Sequence, residues 1–174
     1  MDRAELARRI REAAYLEGDF TLRSGRKSKY YLDKYLFETQ PDILQALGDR
    51  FAEHVTASTT LIAGAELGGV ALAAATSLAC GKPFVIIRNA KKGYGTDKPF
   101  EGKLAEQDRV LLVEDIATTG GQVLEAAKLI HSLGAVVERI VAVIDRQEGA
   151  RENIEGEGFV FESLFRKEDL GIGV

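Results

Sequence analysis

The chain has 174 residues, with 45% hydrophobic and 29% charged side chains and a net charge of −4, the profile of one ordinary globular domain large enough to build a core without disulfide support. The mildly acidic balance argues against a general nucleic-acid binder, and one cysteine with two histidines offers neither an internal disulfide nor a usual zinc set. The opening MDRAELARRIREAAYLEG has no apolar signal core, and the Ala- and Gly-rich stretch 67–80 is too short to span a bilayer, so a protein of the reducing cytoplasm is expected.

Residues 4–16 carry Leu, Ile and Ala at helical spacing and predict an amphipathic helix closing near Gly18. DFTLRSGRKSKYYLDKYLF then predicts two short strands joined by residues 24–28, with the aromatic residues on the return strand. Pro41 and Asp42 can start a helix that runs to about His54. From there strands and helices alternate: TLIAGAELGG reads as strand and loop, 70–79 as helix, PFVIIR as strand, 110–113 as strand, 122–133 as helix and VVERIVAVIDR as strand. Such alternation implies right-handed crossovers and a mainly parallel sheet flanked by helices, with ligands beyond the C-terminal ends of the strands. Four strand ends carry polar residues or glycines and are expected to converge: 66–69, Arg88, 114–121, and Asp145 with Arg146. RNAKKGYGTDKPFEGKLAEQD is too long and polar for a routine connection, and its lysines, among them Lys91, Lys92, Lys98 and Lys103, suggest a basic lid.

The stretch RVLLVEDIATTGGQVLEAA carries the chemistry. Val110 to Val113 is an apolar run of the kind buried on both faces of a parallel sheet. Glu114 and Asp115 follow where the strand is expected to leave the core. Adjacent carboxylates repel and resist burial, so a site that keeps both should supply a cation or hydroxyl donors. Thr118, Thr119, Gly120 and Gly121 then lead into a helix, and small residues at such a turn let backbone N–H groups surround an anion at the helix's positive end. A ribose phosphate suits both halves of that loop. No G-x-x-x-x-G-K-[ST], G-x-G-x-x-G or G-x-S-x-G element is present, which weakens triphosphatase, dinucleotide and nucleophilic hydrolase readings. Cys80 is expected as a small buried hydrophobe, and His54 and His131 as structural or exposed helix residues.

VLLVEDIATTGGQ resembles the 5-phosphoribosyl-1-diphosphate signature of type I phosphoribosyltransferases. FTLRSGRKSKYYLD, RNAKKGYGTDKPFEG and IDRQEGA, in that order around it, narrow the resemblance to the orotate phosphoribosyltransferases over roughly residues 20–150. The resemblance implies an α/β fold of type I phosphoribosyltransferase form in a single domain over 1–174, with a core at about 41–154 and a small hood from about 1–40 and 155–174. It also implies transfer of ribose 5-phosphate from the diphosphate donor to N1 of orotate in pyrimidine synthesis. Mg²⁺ would be carried mainly by the diphosphate, with no protein metal ligand assigned, in a cytoplasmic homodimer whose basic lid reaches the neighbouring site.

Residue by residue, the resemblance gives Lys92 and Asp115 catalytic parts. It places Glu114 and Asp115 on the ribose hydroxyls and Ile116, Ala117, Thr118, Thr119, Gly120, Gly121 and Gln122 around the 5-phosphate. Arg23, Arg88, Asn89, Lys92 and Tyr94 fall with the donor, and Tyr31, Leu32, Thr118 and Arg146 with orotate, for which a guanidinium fork is well shaped. Asn89 stands where lysine is common in the family, Tyr94 where histidine is common, Arg23 at a position that can be lysine, and 66–69 in place of a Tyr-Lys pair. Transfer to a purine or other base is the alternative enzyme reading, and a donor-sensing regulator the non-catalytic one. The hairpin and Arg146 argue against the first, and the retained lid, with no added nucleic-acid-binding segment, against the second.

Overall fold

In the computed structural model, which describes residues 1–21, 25, 27–89 and 98–172, helix α1 (Arg3–Ala14) is capped by the Asp2 carboxylate, which accepts from the Glu5 N–H. Leu6, Ala7, Ile10 and Ala14 form its buried stripe. The helix stops before Leu16 because Tyr15 already belongs to a hairpin, β1 (Tyr15–Thr21) against β2 (Lys27–Leu32). There its ring stacks on Tyr30 at 5.7 Å, and the cross-strand aromatic pair outweighs the helical period of the sequence. The return strand is also shorter than its aromatic pattern suggests. Asp33 accepts from the Tyr35 N–H and caps a short helix, α2 (Lys34–Glu38), out of residues expected to stay extended.

Helix α3 (Pro41–Ala52) begins at its proline as expected. The sheet is built from β3 (Leu61–Ala65), β4 (Phe84–Ile87), β5 (Phe100–Glu101), β6 (Arg109–Ala117), β7 (Val136–Asp145) and β8 (Phe161–Arg166). Their spatial order is β5-β4-β3-β6-β7-β8, parallel throughout except for the short antiparallel β5. Helix α4 (Gly68–Cys80) follows β3, α5 (Gly121–Ser132) follows β6 and α6 (Ala150–Gly156) precedes β8. Strand alternation separates two apolar layers. Leu111 and Val113 of β6 join Leu6, Leu47 and Leu72 from α1, α3 and α4. Val110 and Leu112 join Val123, Ile130 and Ile154 from α5 and α6.

This topology decides where a ligand can sit. The chain steps outward from β3 to β4 on one side, then returns to place β6 on the other side of β3. The helices after β3 and β6 lie on opposite faces, so a crevice opens beyond the C-terminal ends of these two strands. Residues 161–166, expected in the hood, form the sheet's edge strand. The 3-10 turn after it (Lys167–Leu170) folds back on α1, where Arg3 meets Asp169 at 2.9 Å and Arg11 donates to the Leu170 carbonyl at 2.6 Å. At the opposite end of the sheet, Glu138 accepts from Ser58 Oγ and Thr59 Oγ1 at 2.5 Å and from Arg109 Nε at 2.7 Å. Burial opposes the Glu138 charge, but these donors prevail and lower its pKa to about 2.

Candidate active site

Strand β6 continues past Val113 to Ala117, so Glu114 and Asp115 lie inside the strand instead of where it leaves the core; they are 8% and 2% exposed. The compensating cation comes from α2. Lys34 Nζ donates to Asp115 Oδ2 at 2.5 Å, and the same carboxylate accepts from the Ile116 N–H through Oδ1. Burial by itself would lower the Lys34 pKa, but the charge and hydrogen bond of Asp115 outweigh it and hold the ammonium above the ordinary lysine value. Glu114 lies near the same ammonium without an ion pair of its own to it. Burial, reinforced by the neighbouring Asp115 charge, pushes its pKa well above the usual carboxylate range, against a smaller opposing effect of Lys34. Two adjacent carboxyls therefore sit in unlike surroundings: Asp115 is tied to Lys34 and the Ile116 N–H, while burial opposes charge on Glu114.

Behind this pair stands Glu38, one helical turn beyond Lys34 on α2. It is 3% exposed, and its Oε1 has no hydrogen-bond partner. Burial, then the Asp115 charge, raises its pKa to about 8, against a smaller opposing effect of Lys34.

The turn after β6 is set by Gly120, which adopts φ 75° as the N-cap of α5. A Cβ there would lie 2.8 Å from Ile154 Cδ1, so both conformation and space call for glycine. No side chain caps this helix, which leaves its first-turn N–H groups for an anion in the cleft. Asn153 steadies the turn from α6 by donating to the Thr119 carbonyl at 2.9 Å. Gln122 Nε2 reaches across to the Glu66 carbonyl at 2.6 Å and Asn89 Oδ1 at 3.0 Å, and Asn89 Nδ2 donates to the same carbonyl at 3.0 Å. The ends of β3, β4 and β6 are thus tied together. Arg88 meets Glu66 at 3.6 Å and Glu101 at 3.3 Å, and its N–H donates to the Pro99 carbonyl, which anchors the base of the long basic loop.

A cleft of 560 Å³ runs along this edge, lined by Tyr31, Lys34, Glu114, Asp115, the 116–123 turn, Arg146 and Glu148. Tyr31 presents an exposed ring beside Phe20 at 5.6 Å. Leu32, next on the strand and therefore facing the other way, is buried in the core and does not line the cleft. At the far wall the Arg146 N–H donates to the Ala117 carbonyl at 2.9 Å, Asp145 accepts from the Gln147 N–H, and the guanidinium meets Glu148 at 3.0 Å. The four strand ends expected to converge do so. Arg88 and Asn89 line an adjoining recess of 220 Å³ that shares Gln122 with the main cleft. Arg23, Lys92 and Tyr94 lie outside the described residues. Lys34, Glu38 and Glu148 were not singled out in the sequence; the one available hint was a lysine and glutamate four apart after a capping aspartate.

Among the described residues no group of three or more His, Cys, Asp and Glu side chains could hold a metal ion. Asp115 is engaged by Lys34 and burial opposes charge on Glu114, so the cleft fits a Mg²⁺ ion carried by a bound diphosphate better than one held by these acids, since the ion usually takes ionised oxygen ligands.

The phosphoribosyl transferase domain family matches residues 36–169. Orotate phosphoribosyltransferase of Methanocella arvoryzae is 47% identical over 153 residues, covering 88% of this chain and 87% of that one. The chain belongs to the orotate phosphoribosyltransferase family. Solved members superpose closely on it. Mycobacterium tuberculosis orotate phosphoribosyltransferase in complex with Fe(III) dicitrate gives a TM-score of 0.89 at 32% identity, covering 99% of this chain and all, 100%, of that one. The same enzyme in complex with 5-phospho-alpha-D-ribosyl 1-diphosphate gives 0.83 at 33% identity, with 99% and 100% covered. The family resemblance carried by the four sequence motifs is thereby confirmed over nearly the whole chain.

Proposed function

We propose that this orotate phosphoribosyltransferase family member transfers ribose 5-phosphate from 5-phosphoribosyl-1-diphosphate to N1 of orotate, releasing diphosphate and forming orotidine 5′-monophosphate for pyrimidine synthesis. The observation that carries this reading is the cleft at the β3/β6 crevice, where an uncapped helix N-terminus, two adjacent carboxyls, an exposed tyrosine and an arginine face one space. The 5-phosphate sits on the first turn of α5. Asp115 and Glu114 meet the two ribose hydroxyls. Orotate lies on Tyr31 with Arg146 paired to its carboxylate or carbonyl edge.

As the bond from ribose C1 to diphosphate breaks, the electron pair leaves with diphosphate and C1 becomes cationic; orotate N1 then closes the new bond as its N–H proton passes to the released diphosphate or to water. The anionic Asp115 beneath the sugar favours that cation more in the transition state than in the ground state. Mg²⁺ carried by the donor's diphosphate would offset charge on the leaving group, with no ligand from this chain assigned to it. Lys92 and the rest of the basic loop cover the diphosphate and exclude water, in keeping with the anchoring of the loop base at Arg88. Formation of orotidine 5′-monophosphate from the two substrates is the direct test; turnover of a purine base in its place would sink the base-site assignment.

Arg146→Lys keeps the charge and loses the fork. It is expected to raise the KM for orotate about tenfold, one charge-assisted hydrogen bond's worth, with the donor KM unchanged. An unaltered orotate KM would remove Arg146 from the base site.

The homodimer reading is supported by an apolar groove of 630 Å³ between α3 and α4, lined by Pro41, Leu44, Ala71, Ala74, Ala75 and Leu78, the last 87% exposed. A second copy would cover it. Sedimentation should then show a dimer that Leu78→Asp shifts toward monomer; a monomeric parent protein at micromolar concentration rules this out. Among the described residues no helix is long and apolar enough to cross a membrane, and a lone, half-buried cysteine suits the reducing cytoplasm.

A further inference from the structure

Lys34 is a cleft residue whose ammonium is committed to Asp115, yet the helix that carries it also places a carboxyl one turn further on. Residues four apart on a helix face the same way, so Glu38 shares a helix face with Lys34, whose ammonium reaches Asp115, and both Lys34 and Asp115 act on the Glu38 carboxyl. The groups acting on Glu38 are Lys34 and Asp33 from its own helix and cap, and Asp115 from β6. Glu114 joins the same set from the strand, acting on Lys34. Helices α1, α3 and α4, which also pack on α2, contribute no charged group to it. The single polar side chain that α4 buries in the core, Thr76, donates its hydroxyl to the Leu72 carbonyl. Three carboxyls that are themselves nearly closed to solvent thus lie around one partly exposed cation, and burial and mutual repulsion oppose their all being ionised.

We propose that Glu38 is a positioning residue for the donor site, keeping Lys34 on Asp115 only while its own carboxyl carries a proton. This rests on the reading of Asp115 as the carboxylate that meets the ribose. While Glu38 is neutral, Lys34 has one anionic partner and Asp115 is held by Lys34 and the Ile116 N–H. When Glu38 ionises, a second anion competes for the same ammonium. Asp115 then loses its fixed position, and a further negative charge lies under a site that must accept a polyanionic donor. The burial that raises the Glu38 pKa to about 8 puts this change just above neutrality.

The test is the donor KM at saturating orotate across the alkaline range. For the parent protein it should rise roughly fivefold between about pH 7 and about pH 9, with the orotate KM changing much less. Glu38→Gln, neutral at every pH and of the same shape, should match the parent at about pH 7 and stay flat above it. A rise of equal size in the Gln variant, or a flat parent profile, overturns the proposal. Lys34→Gln supplies an arm that does not depend on Glu38→Gln folding: it should raise the donor KM at all pH values and erase the alkaline rise, and survival of that rise would again overturn it. Absence of any orotidine 5′-monophosphate from the parent protein would instead strike the activity itself.

A second readout follows from linkage. A carboxyl whose folded pKa lies above its unfolded value favours folding while neutral in both states. That stability is lost as pH climbs from about 4.5, where the unfolded chain releases the proton, to about 8, where the folded one does. Relative to Glu38→Gln, the parent's melting temperature should therefore fall over that window and level off above it. A constant difference between the two would mean that Glu38 is not protonated in the fold.

Discussion

Asp115→Asn is expected to cut kcat/KM for the donor by about 100-fold, the loss of one or two charge-assisted hydrogen bonds worth about 1.5–3 kcal/mol each. The amide keeps the shape of the carboxylate but not its charge. It can accept through one oxygen only, while Lys34 Nζ and the Ile116 N–H both donate to the native side chain. One of these donors must then face an NH₂ group, and the ribose hydroxyl competes for what remains. Stability should fall less than activity. The Lys34 side chain is 30% exposed, so its stranded charge is partly hydrated and the loss of the pair costs about 1–2 kcal/mol, or about 5 °C in Tm for a chain of this size. Steady-state kinetics with the donor varied, beside a thermal melt, checks both numbers. Donor kinetics within threefold of the parent would falsify the ribose assignment.

The two ends of one sheet treat their carboxyls in opposite ways, and the difference explains which features were legible in the sequence. Glu138 is lowered to about 2 because hydroxyls and a guanidinium converge on it. Glu38 and Glu114 are raised because burial is not matched by donors. No sequence pattern separates these outcomes, since each is an acid near an apolar run. The runs themselves read correctly: β3, β6 and β7 are buried on both faces, so continuous Val, Ile, Leu and Ala marks them without a competing period. The loop after β6 was also legible, because Thr-Thr-Gly-Gly has few uses between a strand and a helix.

What was hidden depended on competition between local and distant effects. Tyr15 fits the helix before it as well as the hairpin after it, and the Tyr30 ring decides the matter from fifteen residues away in sequence. LDKYLF falls in the expected return strand by its aromatic residues, yet the hydrogen bond from the Tyr35 N–H to Asp33 caps it as the start of α2 and brings Lys34 to Asp115. The site's own cation was therefore predictable as a need but not as a residue. Repulsion between adjacent acids called for a positive partner; only the tertiary path of α2 supplies it, across 81 positions of sequence. β5 is two residues long and owes its existence to the edge of β4, so nothing local could mark it.

Gly68→Ala should damage activity at least as much as Asp115→Asn while leaving a folded protein. The first residue of α4 runs so close to β6 that an added Cβ would lie 1.6 Å from Asp115 Oδ2 and 2.7 Å from its Cγ. A flexible side chain could turn away from such a contact, but Asp115 is pinned by Lys34 on one oxygen and the Ile116 N–H on the other. The helix cannot retreat in the other direction either: a Cβ on Gly64 would fall 2.0 Å from the Gly69 carbonyl oxygen, a measure of how tightly α4 sits on β3. The methyl group must therefore displace the carboxylate and break its pairing. Overpacking of this kind costs about 1–3 kcal/mol, a melting shift of about 3–10 °C. Misplacing the ribose contact by about 1 Å costs about 100-fold in turnover. Gly64→Ala provides the contrast, because its clash is with backbone of the α4 start and should appear chiefly as lost stability. If Gly68→Ala retained donor kinetics within threefold, or if both variants lost stability and activity in the same proportion, the close approach of α4 to Asp115 would be a packing detail with no bearing on the chemistry.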